Sequence, residues 1–106
     1  MTNLLTETLE ALREAGFHPA DVLWISDGTV SCDWQTFATA ADREYDAGFG
    51  AREVSETLVV VGEDWWLERW EYDGSEGWAL KTLPTLPPVS GVPEMFLRSP
   101  WPMSGT

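Results

Sequence analysis

The stretch Gly62-Glu63-Asp64-Trp65-Trp66-Leu67-Glu68-Arg69-Trp70-Glu71-Tyr72-Asp73-Gly74-Ser75-Glu76-Gly77-Trp78 reads as a β-hairpin with its entry turn. Asp73-Gly74-Ser75-Glu76 is turn chemistry set between two apolar arms, Trp65 to Tyr72 and Gly77 to Leu83. Side chains alternate along a strand. Trp66, Glu68, Trp70 and Tyr72 therefore share one face, and Trp65, Leu67, Arg69 and Glu71 share the other. One face has to cover a core. Both are partly aromatic, so one tryptophan cluster is expected to stay in water. The stretch also carries four of the chain's seven tryptophans, and six acids against one base.

Working outward, Thr57-Leu58-Val59-Val60-Val61 is a β-branched apolar run, expected as a central strand buried on both faces. Gly62-Glu63-Asp64 turns it into the hairpin. Upstream, Asp33 is a suitable N-cap, and alanine-rich 34–47 reads as a helix with Phe37, Ala41, Glu44 or Tyr45, and Gly48 on one side. Gly48-Phe49-Gly50 is expected to end that helix, with Phe49 folding back on it. Residues 21–34 read as a hairpin around Asp27-Gly28, with Val30, Cys32 and Trp34 on one face of its second strand. Residues 3–15 read as a helix capped by Asn3 or Thr2 and closed by Gly16. Leu5, Leu9 and Leu12, widened by Leu4, form its buried stripe, and Glu7, Glu10 and Glu14 its wet side. The order is α-β-β-α-β-β-β. It predicts an α+β domain over 1–83, with about five antiparallel strands and two helices on one face.

Residues 84–106 contain six of the seven prolines and are expected as an extension without regular structure. Within it, Met95-Phe96-Leu97 is apolar enough to dock on the body or on a partner.

The 106-residue chain suits one domain, and 43% hydrophobic content argues against disorder. Eighteen acids against six bases leave a formal net charge of -12. That field repels phosphate and disfavours direct nucleic-acid binding. It suits basic proteins, or it serves solubility alone. One cysteine, Cys32, excludes an intrachain disulfide and fits a reducing compartment. One Cys and one His cannot assemble a zinc site. The N-terminus lacks the basic and apolar regions of a signal peptide, and no apolar run is long enough to span a bilayer. A cytoplasmic protein with no membrane partner is expected.

Catalytic patterns are weak. His18 precedes Pro19 in a loop with no nucleophile in a recognised motif, and Cys32 falls on an apolar strand face. Glu63/Asp64 and Glu71/Asp73 are the pairs that chance supplies among so many acids. Gly48-Phe49-Gly50 is not a phosphate loop, and Asp73-Gly74-Ser75-Glu76 lacks calcium-loop spacing. No cofactor, metal site or catalytic residue is expected.

Tyr45-Asp46-Ala47-Gly48-Phe49-Gly50, Leu58-Val59-Val60-Val61-Gly62, Trp65-Trp66-Leu67-Glu68-Arg69, Glu71-Tyr72-Asp73-Gly74-Ser75-Glu76 and Trp78 carry a resemblance. Over about residues 33–87 the chain resembles small proteins of phages and prophages, notably of actinobacteria. The resemblance implies an accessory gene of a mobile element and brings no activity or site residues. In that setting a short acidic protein is similar in character to anti-CRISPR proteins.

The expected function is therefore that of a non-enzymatic binding protein. It would inhibit a host nucleic-acid-handling defence complex, a CRISPR effector or another nuclease, by meeting its basic surface. The expected contact residues are Trp66, Trp70 and Tyr72 as anchors, with Glu63, Asp64, Glu68, Glu71, Asp73 and Glu76 as charges. Carboxylates at alternate strand positions lie about 7 Å apart, and such an array can imitate a phosphate backbone. The rival readings are an immunity protein or antitoxin against a basic nuclease, a phage assembly protein, and a sugar or small-molecule module.

Overall fold

In the computed structural model, residues 1–48 and 51–96 are described. The chain runs β1 (Thr2–Asn3), α1 (Leu4–Ala15), a 3-10 turn (Pro19–Asp21), β2 (Trp24–Ser26), β3 (Ser31–Cys32), α2 (Trp34–Ala41), β4 (Glu44–Tyr45), β5 (Val59–Val61), β6 (Trp65–Tyr72) and β7 (Ser75–Thr82). The fold is α+β. A five-stranded antiparallel sheet of order β3-β2-β5-β6-β7 carries both helices, and β1 pairs with β4 in a separate two-stranded ribbon. No described helix is long and apolar enough to cross a membrane.

Local chemistry explains most of these elements. The Asn3 side chain accepts from the Thr6 N–H at 3.0 Å and starts α1. Gly16, at φ 85°, ends it with its N–H on the Arg13 carbonyl, and Phe17 N–H reaches the Leu12 carbonyl at 2.8 Å. Phe17 then stacks on Trp65, ring centroids 4.2 Å apart, which ties the helix exit to the sheet. Asp33 caps α2 by accepting from the Thr36 N–H, and that bond holds its carboxyl below the usual range. At the β6–β7 connection Tyr72 pairs directly with Ser75. The turn is thus Asp73-Gly74 alone, both with positive φ, as tight hairpins favour.

Ile25, Val60 and Leu67 lie in register across β2, β5 and β6 and point to one face. Leu12 from α1, Phe37 and Ala41 from α2, and Trp65 pack onto them to form the core. Both helices therefore sit on that face, and among the described residues the other face carries none.

Several expectations are corrected. The buried side of α1 runs through Thr8 and Leu12, both wholly buried, while Leu9 is 40% exposed. Thr8 can be buried because its hydroxyl donates to the Leu4 carbonyl and accepts from Trp78 Nε1. Glu7 turns inward instead of facing solvent. Helix α2 stops at Ala41, well before residue 47, because Tyr45 is drawn into β4 against Thr2 and buried. Tertiary burial overrides the helix preference of the alanines. The β2–β3 connection has four residues, 27–30, organised by the Asp27 carboxylate accepting from the Thr29 and Val30 N–H groups. Val30 is exposed there, and Trp34 belongs to α2. Strand β5 is central but shorter than expected, and only Val60 is fully buried; Val59 and Val61 face the helix-free side. The expected role of Phe49 and the docking of Leu97 lie outside the described residues. Met95 and Phe96 are exposed, and 84–96 hold no helix or strand.

Candidate functional site

Strand β6 sorts its side chains as alternation requires. Trp65, Leu67 and Arg69 are buried under the helices. Trp66, Glu68, Trp70 and Tyr72 lie on the helix-free face, where cross-strand pairing arranges them in rows. One row runs Trp24, Val61, Trp66, Lys81; the next runs Ser26, Val59, Glu68, Ala79. Trp70 opposite Gly77 and Tyr72 opposite Ser75 complete the face toward the hairpin tip. Trp24 is 41% exposed, Trp70 42% and Tyr72 79%. These rings stand on one face of the sheet, with Trp70 reaching over its β7 edge, and exposed aromatics on one face are the kind of surface that proteins use for contacts.

The patch is braced. Trp66 Nε1–H donates to Glu68 Oε1 at 3.3 Å, so the indole and the carboxylate present a joined aromatic–acidic pair. Trp70 lies across Gly77, where a Cβ would come 3.0 Å from its ring, and its Nε1–H donates to the Trp78 carbonyl at 3.2 Å. Ordered rings lose little freedom when a partner covers them.

The acids separate into three places. Glu63 and Asp64 form the β5–β6 turn, where they share a cleft with Phe17 and Leu23. Glu71 and Asp73 sit at the opposite tip, on the order of 25 Å away along an eight-residue strand. There Glu71 accepts from the Gly74 N–H at 2.9 Å and braces the turn. Glu68 alone stands among the open-face tryptophans. A continuous file of carboxylates does not form.

Glu76 leaves the surface altogether. It lies in β7 on the helix-covered face and is 4% exposed. Its Oε1 accepts from Arg69 Nη2 at 3.0 Å and from the Val54 N–H, and its Oε2 accepts from the Glu53 N–H at 2.8 Å. Burial pushes its carboxyl up, but the Glu53 N–H, the Arg69 guanidinium and the Val54 N–H outweigh this and hold it below its ordinary value. Arg69 also donates to Glu7 and to the Tyr45 hydroxyl, each at 3.0 Å, and its guanidinium lies 4.7 Å from the centre of the Trp78 ring. Burial, then the hydrogen bond to Glu7, raise the Tyr45 hydroxyl to about 12 against the opposing pull of Arg69. This buried network joins α1, β4, β6, β7 and the 53–54 segment, which makes it architecture rather than a contact surface.

Of the expected contact residues, the structure brings together Trp66, Glu68, Trp70 and Tyr72. It sets Glu63, Asp64, Glu71 and Asp73 at the two ends and buries Glu76. It adds Trp24, Val59 and Val61, which the sequence reading left out. Their signal was the alternation of Trp24 with Ile25, legible only once β2 is placed beside β5. His18 and Cys32 stand apart: the His18 N–H donates to Asp21, and Cys32 is half-buried opposite Ile25. Among the described residues, no group of three or more His, Cys, Asp or Glu is placed to hold a metal ion.

Compared with protein-family models, curated proteins and solved structures, the chain gives no match.

Proposed function

We propose that this is a non-enzymatic, acidic binding protein that engages a basic protein surface through the helix-free face of its sheet. The observation that carries the reading is the grouping of Trp24, Trp66, Trp70 and Tyr72 on that face, beside Glu68, in a chain of net charge -12. Aromatic rings held in place supply the apolar centre of a contact, and the charge steers a basic partner and repels nucleic acid itself. Glu63 and Asp64 at one end and Glu71 and Asp73 at the other act as a rim.

By analogy with the phage and prophage proteins that the sequence resembles, the proposed partner is a nucleic-acid-handling defence complex of a host, such as a CRISPR effector or another nuclease, met in the host cytoplasm. Its Lys/Arg groove would receive the acidic face in place of a phosphate backbone.

The test is capture from host lysate by the wild type beside a folded Trp66→Ala/Glu68→Lys/Trp70→Ala variant. A cleavage assay on the captured enzyme follows. A nuclease held and inhibited by the wild type and released by the variant supports the proposal. Equal capture and inhibition by both proteins would remove the open face from it. A nuclease toxin encoded beside this gene and neutralised by the protein would move the function to immunity.

A further inference from the structure

We propose that β7 accepts an extended, basic segment of another protein as a sixth strand of the sheet. The inference concerns the sheet edge and the helix-covered side, and it does not need the open face to bind anything.

Strand β7 is an edge of eight residues, whereas the opposite edge, β3, has two. Its register with β6 runs from Trp65↔Thr82 to Tyr72↔Ser75 without a bulge. Short strands, bulges and covering elements are the usual protections of an edge; β7 is neither short nor bulged, and among the described residues only the Trp70 indole, at the Trp78 carbonyl, is seen to reach over Trp78–Thr82.

The register shows which backbone groups are free. The Gly62 N–H donates to the Trp65 carbonyl, so Trp65, Leu67 and Arg69 turn their backbone groups to β5. Trp66, Glu68, Trp70 and Tyr72 then bond Lys81, Ala79, Gly77 and Ser75. Glu76, Trp78, Leu80 and Thr82 consequently point their N–H and C=O groups outward. Two of these groups are engaged: the Glu76 N–H donates to Ala47, and the Trp78 carbonyl accepts from Trp70. No described residue bonds the N–H of Trp78, Leu80 or Thr82. This leaves a run of free donors at the spacing of a β-ladder.

Beside the edge, α1 and β7 leave a furrow. A cavity of about 180 Å³ lies between Ala11 and Ala15 on one wall and Trp78 and Leu80 on the other, with Glu14 at its rim. A second, of about 230 Å³, shares Ala11, Glu14 and Trp78 and brings in Glu10 and Trp70, whose indole crosses Gly77 to reach it. The alanines of α1 give room for every second side chain of an added strand. Glu10 and Glu14 are exposed and meet no described partner, so the matching side chains are Lys or Arg. The Trp70 indole at the end of this furrow also favours a cation. A second copy fits badly, because pairing two β7 edges would set one acidic α1 rim against another at a net charge of -12 per chain.

The probe is a fluorescein-labelled alternating Lys-Val octapeptide, read by anisotropy and by amide NMR of the full protein. Two further peptides carry N-methyl groups on odd or on even residues, which silences one backbone edge at a time. The expected result is saturable binding that moves the Trp78, Leu80 and Thr82 amides. One N-methylated isomer should lose about tenfold or more in affinity while the other keeps it. Leu80→Pro removes a donor that the β6–β7 ladder does not use and should lose a similar factor. If that variant does not fold, the N-methyl pair alone decides. Equal binding of both isomers means salt-driven association and overturns the proposal, as does absence of binding. Dimerisation of the peptide-free protein through the same amides overturns it in favour of a second copy.

Discussion

Arg69 and Glu76 meet 3.0 Å apart, Nη2 to Oε1, with both side chains fully removed from water. They lie diagonally across the β6–β7 ladder, since Arg69 faces Trp78 and Glu76 faces Glu71. Glu76 also satisfies the Glu53 and Val54 N–H groups, and Arg69 also satisfies Glu7. Removing one partner strands the others. Arg69→Met is expected to cost about 3–5 kcal/mol in urea unfolding. The double variant Arg69→Met/Glu76→Gln should cost less than the sum of the two single changes, because neither buried charge is then left alone. Strict additivity would show that the pair is not coupled.

The same pair sets an acid limit. The folded Glu76 carboxyl titrates below its ordinary 4.5, so its contribution is complete above that value and drains as pH falls through the folded value. Thermal melts from pH 6 downward should fall more steeply for the wild type than for Glu76→Gln, which has no carboxyl there to protonate. Parallel curves would assign acid unfolding to other groups. At the alkaline end, Tyr45 is raised to about 12, so its contribution is complete below 10 and drains above it. Tyr45→Phe should flatten that limb.

Thr8 predicts a result that its size hides. Its hydroxyl is the acceptor for Trp78 Nε1–H at 2.9 Å across 70 residues of sequence. Thr8→Val keeps the shape and strands the indole donor, so a loss of about 1–3 kcal/mol is expected despite the gain in hydrophobicity. A stabilised variant would mean that the indole finds another acceptor.

Gly62 stands where β5 turns, and a Cβ there would come 2.1 Å from the Trp65 indole. Trp65 is pinned by Phe17 and has little room to withdraw. Gly62→Ala should cost about 1–3 kcal/mol, as overpacking does. Gly48→Ala, where no described residue lies within 4 Å and φ is not positive, should leave stability close to wild type. Calorimetry of the two variants side by side separates crowding from any general effect of alanine.

Tyr72 tests the open face without disturbing the core. It is 79% exposed, so Tyr72→Ala should change stability by no more than about 0.5 kcal/mol. The same change should weaken partner binding measurably. Glu68→Lys should weaken it further at low salt, with the difference shrinking as salt rises. Binding that ignores both substitutions places the contact elsewhere.

Much of the fold was legible because it is written in local chemistry. Asn3, Gly16 and Asp33 marked helix ends through backbone groups within a few residues of themselves. The aromatic run up to Tyr72 followed by Asp73-Gly74 marked the hairpin, and its period of two split the tryptophans into two faces. The end of α2 was not legible, because the pull on Tyr45 comes from Glu7 and Arg69 rather than from its helical neighbours. Glu76 was misplaced for a related reason. A two-residue turn instead of a four-residue one moves it from the tip into the strand, and then into the core.

The sequence by itself determined the two helices and the five strands of the main sheet, their order, and the pairing of aromatic and acidic character in one hairpin, but not the β1–β4 ribbon. These follow from propensity, capping and periodicity, which act over a turn of helix or a few strand residues. Only the tertiary structure decided which face of β6 is covered, which acids remain in water, and which edge of the sheet is open. Those outcomes depend on contacts such as Glu7 with Arg69, 62 residues apart, where burial rather than local preference sets the free energy.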